Sequence, residues 1–228
     1  MNKLKIAVIG TGLVGSFHAE TFFRNPNSEL IAVCDIDKEK VNKIANRFKC
    51  KAYNEFESLI NTEKLDAISI ATPEQIRIAP ALLAIEKGLK ILLEKPLGRN
   101  LKDIENLVNK IKNHNKLISV NFILHEDPRY KLMKEKIKNN EIGEIVSCYA
   151  RRRGNRFGIE IYAPWTDLIS STLIHDIQMV MSINNSKPER VYAEAVIREC
   201  AKFNSHDAVT VSYTHLRAHE TLRYLVCR

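Results

Sequence analysis

With 228 residues, 45% of them hydrophobic and 27% charged, the chain has the composition of a soluble globular protein of one large domain or two. No run of about 18 apolar residues is present, so no membrane span is expected, and the N-terminal apolar run is too short for a signal peptide and lacks a small-residue cleavage site, which favours the cytoplasm. The formal net charge is +8, but lysines are mixed with Glu and Asp through every expected helix, and the densest basic group is only Arg151, Arg152, Arg153 and Arg156; no nucleic-acid partner is expected, only some attraction for an anionic cofactor or substrate.

In chain order, Leu4–Ile9 is a β-branched apolar run that reads as a strand. Gly10, Gly12 and Gly15 follow in G-x-G-x-x-G spacing, and a helical pattern runs over Leu13–Arg24. The spacing has a mechanism. The first glycine permits the tight turn, the second lets backbone approach a pyrophosphate, and the third lets the helix pack close to the strand. The helix start then offers free N–H groups and a positive dipole end to the phosphates. The loop Gly10, Thr11, Gly12, Leu13, Val14 and Gly15 is the candidate dinucleotide site. Leu30–Cys34 is the second strand, ending at Asp35, about 20 residues past the loop, where a ribose-binding acid belongs. A carboxylate there accepts from the ribose hydroxyls and repels a 2′-phosphate, which favours NAD over NADP, with Lys38 near enough to soften the choice.

Helices are expected over Lys38–Phe48 and Glu55–Ile60, then a strand over Ala67–Ile70 that ends in Ala71, Thr72 and Pro73. Gln75–Lys87 reads as a helix closed by Gly88, and Leu89–Leu93 as a strand ending in Glu94, Lys95 and Pro96. A helix over Leu101–Asn113 and a strand over Leu117–Phe122 complete this half. Pattern locates five strands, and their alternation with helices describes a doubly wound parallel sheet of the six-stranded kind, a Rossmann domain over residues 1–122. Ligands of such sheets bind at the carboxyl ends of the strands, and Asp35, Thr72-Pro73 and Glu94-Lys95-Pro96 all fall there.

Past Phe122 the pattern changes. Pro128–Asn139 and Ser171–Ile183 read as helices, and Ile142–Arg153 and Val191–Cys200 as long alternating strands, with another strand beginning at Asp207. Half-buried alternation implies a mainly antiparallel sheet, so residues 123–210 are expected to be part of an α+β substrate and oligomerisation domain. Gly154–Trp165 is loop-like; Tyr149, Phe157, Tyr162 and Trp165 could line a sugar site or pack in a core. Residues 211–228 lose all period and resemble vector read-through, so a foreign tail and an incomplete second domain are expected. The five cysteines (Cys34, Cys50, Cys148, Cys200, Cys227) lack C-x-x-C spacing, and neither a metal site nor a disulfide framework is expected.

Several stretches together resemble the Gfo/Idh/MocA family of NAD(P)-dependent oxidoreductases: GTGLVG at Gly10–Gly15, VCD at Val33–Asp35, LDAISIATP at Leu65–Pro73, EKPL at Glu94–Leu97, DPRY at Asp127–Tyr130, EIGEIVS at Glu141–Ser147 and IHDI at Ile174–Ile177. The resemblance implies hydride transfer between NAD and a hydroxyl carbon of a sugar, polyol or sugar derivative. It implies that Lys95 hydrogen-bonds the reacting hydroxyl, that the peptide before Pro96 is cis, and that His175 is the general base. It further implies a longer chain whose second domain carries the substrate site and, when full length, a homo-oligomer interface. A lysine near a nicotinamide cation suits a developing alkoxide, and an imidazole suits proton removal near neutral pH. Three positions depart from the family pattern. Ser171 stands where an acid often precedes the histidine, Arg77 replaces the histidine of the ATP-x-x-x-His loop, and His125 takes the place of an arginine before DPRY. These departures motivate a second reading, a non-catalytic dinucleotide sensor or regulatory protein on the same fold.

Overall fold

In the computed structural model, which describes residues 2–153, 166–185 and 187–214, six strands form one parallel sheet: β1 (Leu4–Ile9), β2 (Ser28–Cys34), β3 (Lys51–Tyr53), β4 (Ala67–Ile70), β5 (Lys90–Leu93) and β6 (Ile118–Val120). Their spatial order is β3-β2-β1-β4-β5-β6, the doubly wound order in which the sheet reverses between β1 and β4. The short β3 is the strand that pattern alone did not locate. With three residues, none of them fully buried, it carries too little periodicity to stand out.

Central β1 pairs with β2 on one side and β4 on the other. Sheet faces covered on both sides demand a continuous apolar run instead of alternation, and Ile6, Ala7, Val8 and Ile9 are all buried. Ala7 and Ile9 pack with Ile68, Ile70 and Leu93 against α3 (Phe56–Thr62), α4 (Ile78–Glu86) and α5 (Leu101–Lys112). Val8 and Val33 pack against α1 (Leu13–Arg24) and α2 (Lys38–Phe48) on the opposite face. Each such valine, leucine or isoleucine contributes about 1.5–3 kcal/mol by leaving water.

Helix starts differ in a way that matters for binding. Asp37 caps α2 by accepting from the N–H groups of Glu39 and Lys40, and Asn100 caps α5 through Lys102 N–H. Helix α1 starts at Gly12 with no side-chain cap and no acid in its first turn. Helix α4 starts at Ile78, later than the expected Gln75, because Glu74 and Arg77 are committed to contacts with a neighbouring loop.

The chain divides into two units, Met1–Asn121 and Phe122–Arg228. In the second, α6 (Pro128–Lys138) is capped by Asp127, and a π-helical turn over Ile169–Leu173 runs into α7 (Ile174–Asn184). Strands β7 (Arg190–Val196) and β8 (Ala208–Thr214) pair antiparallel, and Leu173, Val209 and Val211 form a small core. The expected strand over Ile142–Arg153 is not formed. Alternation makes a strand only where a neighbour supplies a ladder, and among the described residues β7 and β8 pair only with each other; Val146 and Tyr149 are exposed. The strand expected to reach Cys200 stops at Val196, because the Asp207 carboxylate accepts from the N–H groups of Arg198 and Cys200 and bends the chain into a 3-10 turn over Glu199–Phe203. Strand β8 runs through Thr214, which pairs with Arg190, so it includes the first residues of the segment expected to be foreign. The loop with Phe157, Tyr162 and Trp165, and residues 215–228 of the expected tail, lie outside the described residues.

Candidate functional site

At the carboxyl end of β1, Gly10 turns the chain with φ +89°, and a Cβ there would lie 2.7 Å from the Ala71 carbonyl oxygen. Only glycine combines that dihedral with that approach. A Cβ on Gly15 would stand 1.8 Å from the Gly10 carbonyl oxygen. At Gly12 a Cβ would meet nothing within 4 Å, so this backbone faces open space above the uncapped start of α1. The first N–H groups of a helix have no partner within the helix. An uncapped, acid-free helix start beside open space therefore fits a dinucleotide pyrophosphate. Leu13 and Val14 are exposed beside it.

The Asp35 carboxylate is already oriented. Its Oδ2 accepts from Thr11 N–H at 2.6 Å and Thr11 Oγ1 at 2.9 Å, and its Oδ1 accepts from Asp37 N–H at 3.0 Å. A carboxylate has about four lone-pair positions, so one, on Oδ1, remains for a further donor such as a ribose hydroxyl. Thr11 is itself buried. The glycine loop and Asp35 are thus one hydrogen-bonded piece, a contact that no sequence spacing announces.

At the ends of β4 and β5, Ala71 is half-buried, Thr72 buried and Pro73 exposed, while Glu94 is buried and Lys95 half-buried. The Lys95–Pro96 peptide is cis. Glu94 anchors this loop: Oε1 accepts from Asn121 Nδ2 at 2.5 Å and faces His18 Nε2 at 3.3 Å, and Oε2 accepts from Lys95 N–H at 3.2 Å. Burial alone would raise the Glu94 pKa, but hydrogen bonds from His18 and Asn121 outweigh it and hold the carboxyl below its usual range. His18 Nδ1 meets Ser69 Oγ at 2.8 Å. Sequence reasoning missed His18 and Asn121. Asn121 was open to the strand-end rule, since it follows β6 directly. His18 lies three residues past Gly15, beside buried Ala19, a polar residue on an inward face.

The second unit holds His175 and Asp176, both buried. Arg152 grips the Asp176 carboxylate through Nε at 2.7 Å and Nη2 at 2.9 Å, a two-pronged ion pair that fixes the start of α7. The Phe122 ring meets His175 edge-on, with centroids 6.2 Å apart. Ser171 sits in the π-helical turn with its hydroxyl 3.3 Å from Thr172 Oγ1. Asp167, the acid nearest to that position, accepts from Ser170 N–H and Oγ. His125 is held from both sides. Lys134 Nζ can only donate, so Nδ1 accepts at 2.7 Å, and Nε2–H then donates to Gln178 Oε1.

Three comparisons place this geometry among known proteins. The profile of the oxidoreductase family GFO_IDH_MocA, with an NAD-binding Rossmann fold, matches residues 4–122. An inositol 2-dehydrogenase of Rubrobacter xylanophilus is 26% identical over 196 residues, which is 85% of this chain and 56% of that protein. The chain therefore spans little more than half the length of this relative. The fold is that of a myo-inositol 2-dehydrogenase of Lactobacillus plantarum, with a TM-score of 0.90 at 22% identity over 99% of this chain and 69% of that one. A scyllo-inositol dehydrogenase of Lactobacillus casei, solved with NAD(H) and scyllo-inositol bound, superposes with a TM-score of 0.87 at 18% identity, covering 99% of this chain and 69% of that one.

Proposed function

The chain belongs to the Gfo/Idh/MocA family of oxidoreductases, and from that premise we propose that it acts in hydride transfer between NAD and a hydroxyl carbon of a sugar or polyol. What supports this reading most is the convergence, at the carboxyl ends of β1, β2, β4 and β5, of an open glycine loop, an oriented Asp35 and a lysine on a loop anchored by buried Glu94. When bound, the cofactor supplies the hydride acceptor.

The residues of the chain do the rest. The N–H groups at the start of α1 hold the pyrophosphate, and Asp35 accepts from the ribose hydroxyls and repels a 2′-phosphate. Thr72 and Pro73 border the cofactor. The Lys95 ammonium donates to the hydroxyl oxygen and stabilises the alkoxide as it develops. His175 takes the hydroxyl proton on an imidazole nitrogen as the carbon gives up its hydride, and a carbonyl results. The inositol dehydrogenases among its relatives make a cyclic polyol the first substrate to try.

The test is NADH formation by the full-length protein on a panel of inositols and sugars. Lys95→Ala and His175→Ala should each lower kcat by about 100-fold or more while NADH binding persists; a Lys95→Ala protein with full turnover would refute the role of Lys95. One observation favours a regulatory dinucleotide binder instead. Ser171 supplies only a hydroxyl, and the carboxylate of Asp167 is engaged with Ser170. That reading predicts tight NADH binding with no turnover on any of these substrates.

A further inference from the structure

Arg77, at the entrance to α4, is 5% exposed. Its Nη1 donates to the carbonyl oxygen of Glu94 at 2.8 Å and to that of Pro96, and its Nη2 donates to the carbonyl oxygen of Thr72. Two of these carbonyls flank Lys95 in the chain, and the third belongs to the turn after β4. A guanidinium presents its N–H groups in a rigid planar fork, so it fixes the directions of the carbonyls it holds. A second tie runs parallel to the first: buried Glu74 accepts from Arg99 Nε at 2.7 Å, again joining the loop after β4 to the loop after β5.

This arrangement is an expensive way to stabilise a fold. Burial pushes the Arg77 pKa down to about 10, against the pull of Glu94 and Glu74, so the group remains a cation at neutral pH in a desolvated place. Its Nε meets no acceptor among the described residues. A well-packed apolar side chain often stabilises such a site as well or better. What the arginine does that an apolar residue cannot is grip main-chain oxygens on both sides of one lysine.

We propose that Arg77 is the positioning residue for Lys95: by clamping the Glu94 and Pro96 carbonyls to that of Thr72, it holds the backbone of the lysine in one orientation relative to the turn that borders the cofactor. The inference rests on the reading of Lys95 as the group that meets the substrate hydroxyl. It also recasts the departure at position 77 as a working part of the loop.

Arg77→Lys and Arg77→Gln test it. The first keeps the charge without the fork, and the second removes the charge. Amide hydrogen exchange on the 228-residue chain should accelerate at least about tenfold at residues 94–99 in both variants, with β1 and β4 unaffected. NADH affinity should be unchanged. In the full-length protein kcat should fall by about 10–100-fold with substrate KM unchanged, the signature of a misaligned group. Unchanged exchange at residues 94–99 would overturn the proposal. So would acceleration spread evenly through the sheet with loss of NADH binding, which marks a merely structural arginine. If Arg77→Gln does not fold, Arg77→Lys decides by the same criteria. A parent protein without turnover would end the dehydrogenase reading, while the exchange result would still decide whether Arg77 holds the loop.

Discussion

Alanine at Gly15 should cost stability and alanine at Gly12 cofactor affinity, although the two glycines belong to one motif. At Gly15 the new Cβ would lie 1.8 Å from the Gly10 carbonyl oxygen and 2.8 Å from its carbon. These are backbone atoms of the turn itself, so no side chain can swing away, and the turn must shift against Ala71. Overpacking of this kind costs about 1–3 kcal/mol, and a clash with main chain belongs at the upper end. For a unit of this size that corresponds to a fall in Tm of roughly 10 °C. At Gly12 the Cβ meets nothing within 4 Å, and φ −63° with ψ −167° is extended backbone that alanine adopts. Stability should stay within about 0.5 kcal/mol. The methyl group would instead stand in the open space proposed above for the pyrophosphate, and NADH should bind at least about tenfold more weakly, a loss of about 1.4 kcal/mol. Circular dichroism melts and NADH fluorescence titration read the two effects separately. A Gly12→Ala protein with unaltered NADH affinity, or a Gly15→Ala protein that melts with the parent, would refute the reasoning.

Glu94 makes stability depend on pH. Its carboxyl, lowered in the folded state from an ordinary 4.5, contributes stability that is present above the unfolded value and lost as pH falls through the folded one. The Tm should therefore drop as pH is lowered below 4.5, and Glu94→Gln should flatten that limb; equal acid slopes in melts of the two proteins would contradict this. Asp35→Asn keeps an oxygen for Thr11 but removes the charge facing a 2′-phosphate, so the affinity for NADPH relative to NADH should rise at least about tenfold in paired titrations. An unchanged ratio would remove Asp35 as the selector.

The Rossmann half was legible because its constraints are local and periodic. The Leu4–Ile9 run, the glycine spacing and the strand-end residues Asp35, Thr72 and Lys95 each follow from a rule that acts over a few residues. The second unit was less legible for a physical reason. The alternation in Ile142–Arg153 reports only that a segment could lie half-buried on a sheet, and among the described residues β7 and β8 pair only with each other. Similarly, helix α4 was expected one turn too early, because propensity at Gln75–Arg77 is overridden by the tertiary bonds of Glu74 and Arg77.

The sequence by itself determined five of the six strands, the glycine loop and which residues stand at their ends, since hydrophobic period and backbone sterics are written position by position. Only the tertiary structure decided what those residues hold on to. Thr11 grips Asp35 across 24 positions, Asn121 reaches Glu94 across 27, and Arg77 spans from Thr72 to Pro96. Hydrogen bonds between loops depend on which strand ends the sheet order brings side by side, and that order exists only once the chain has folded.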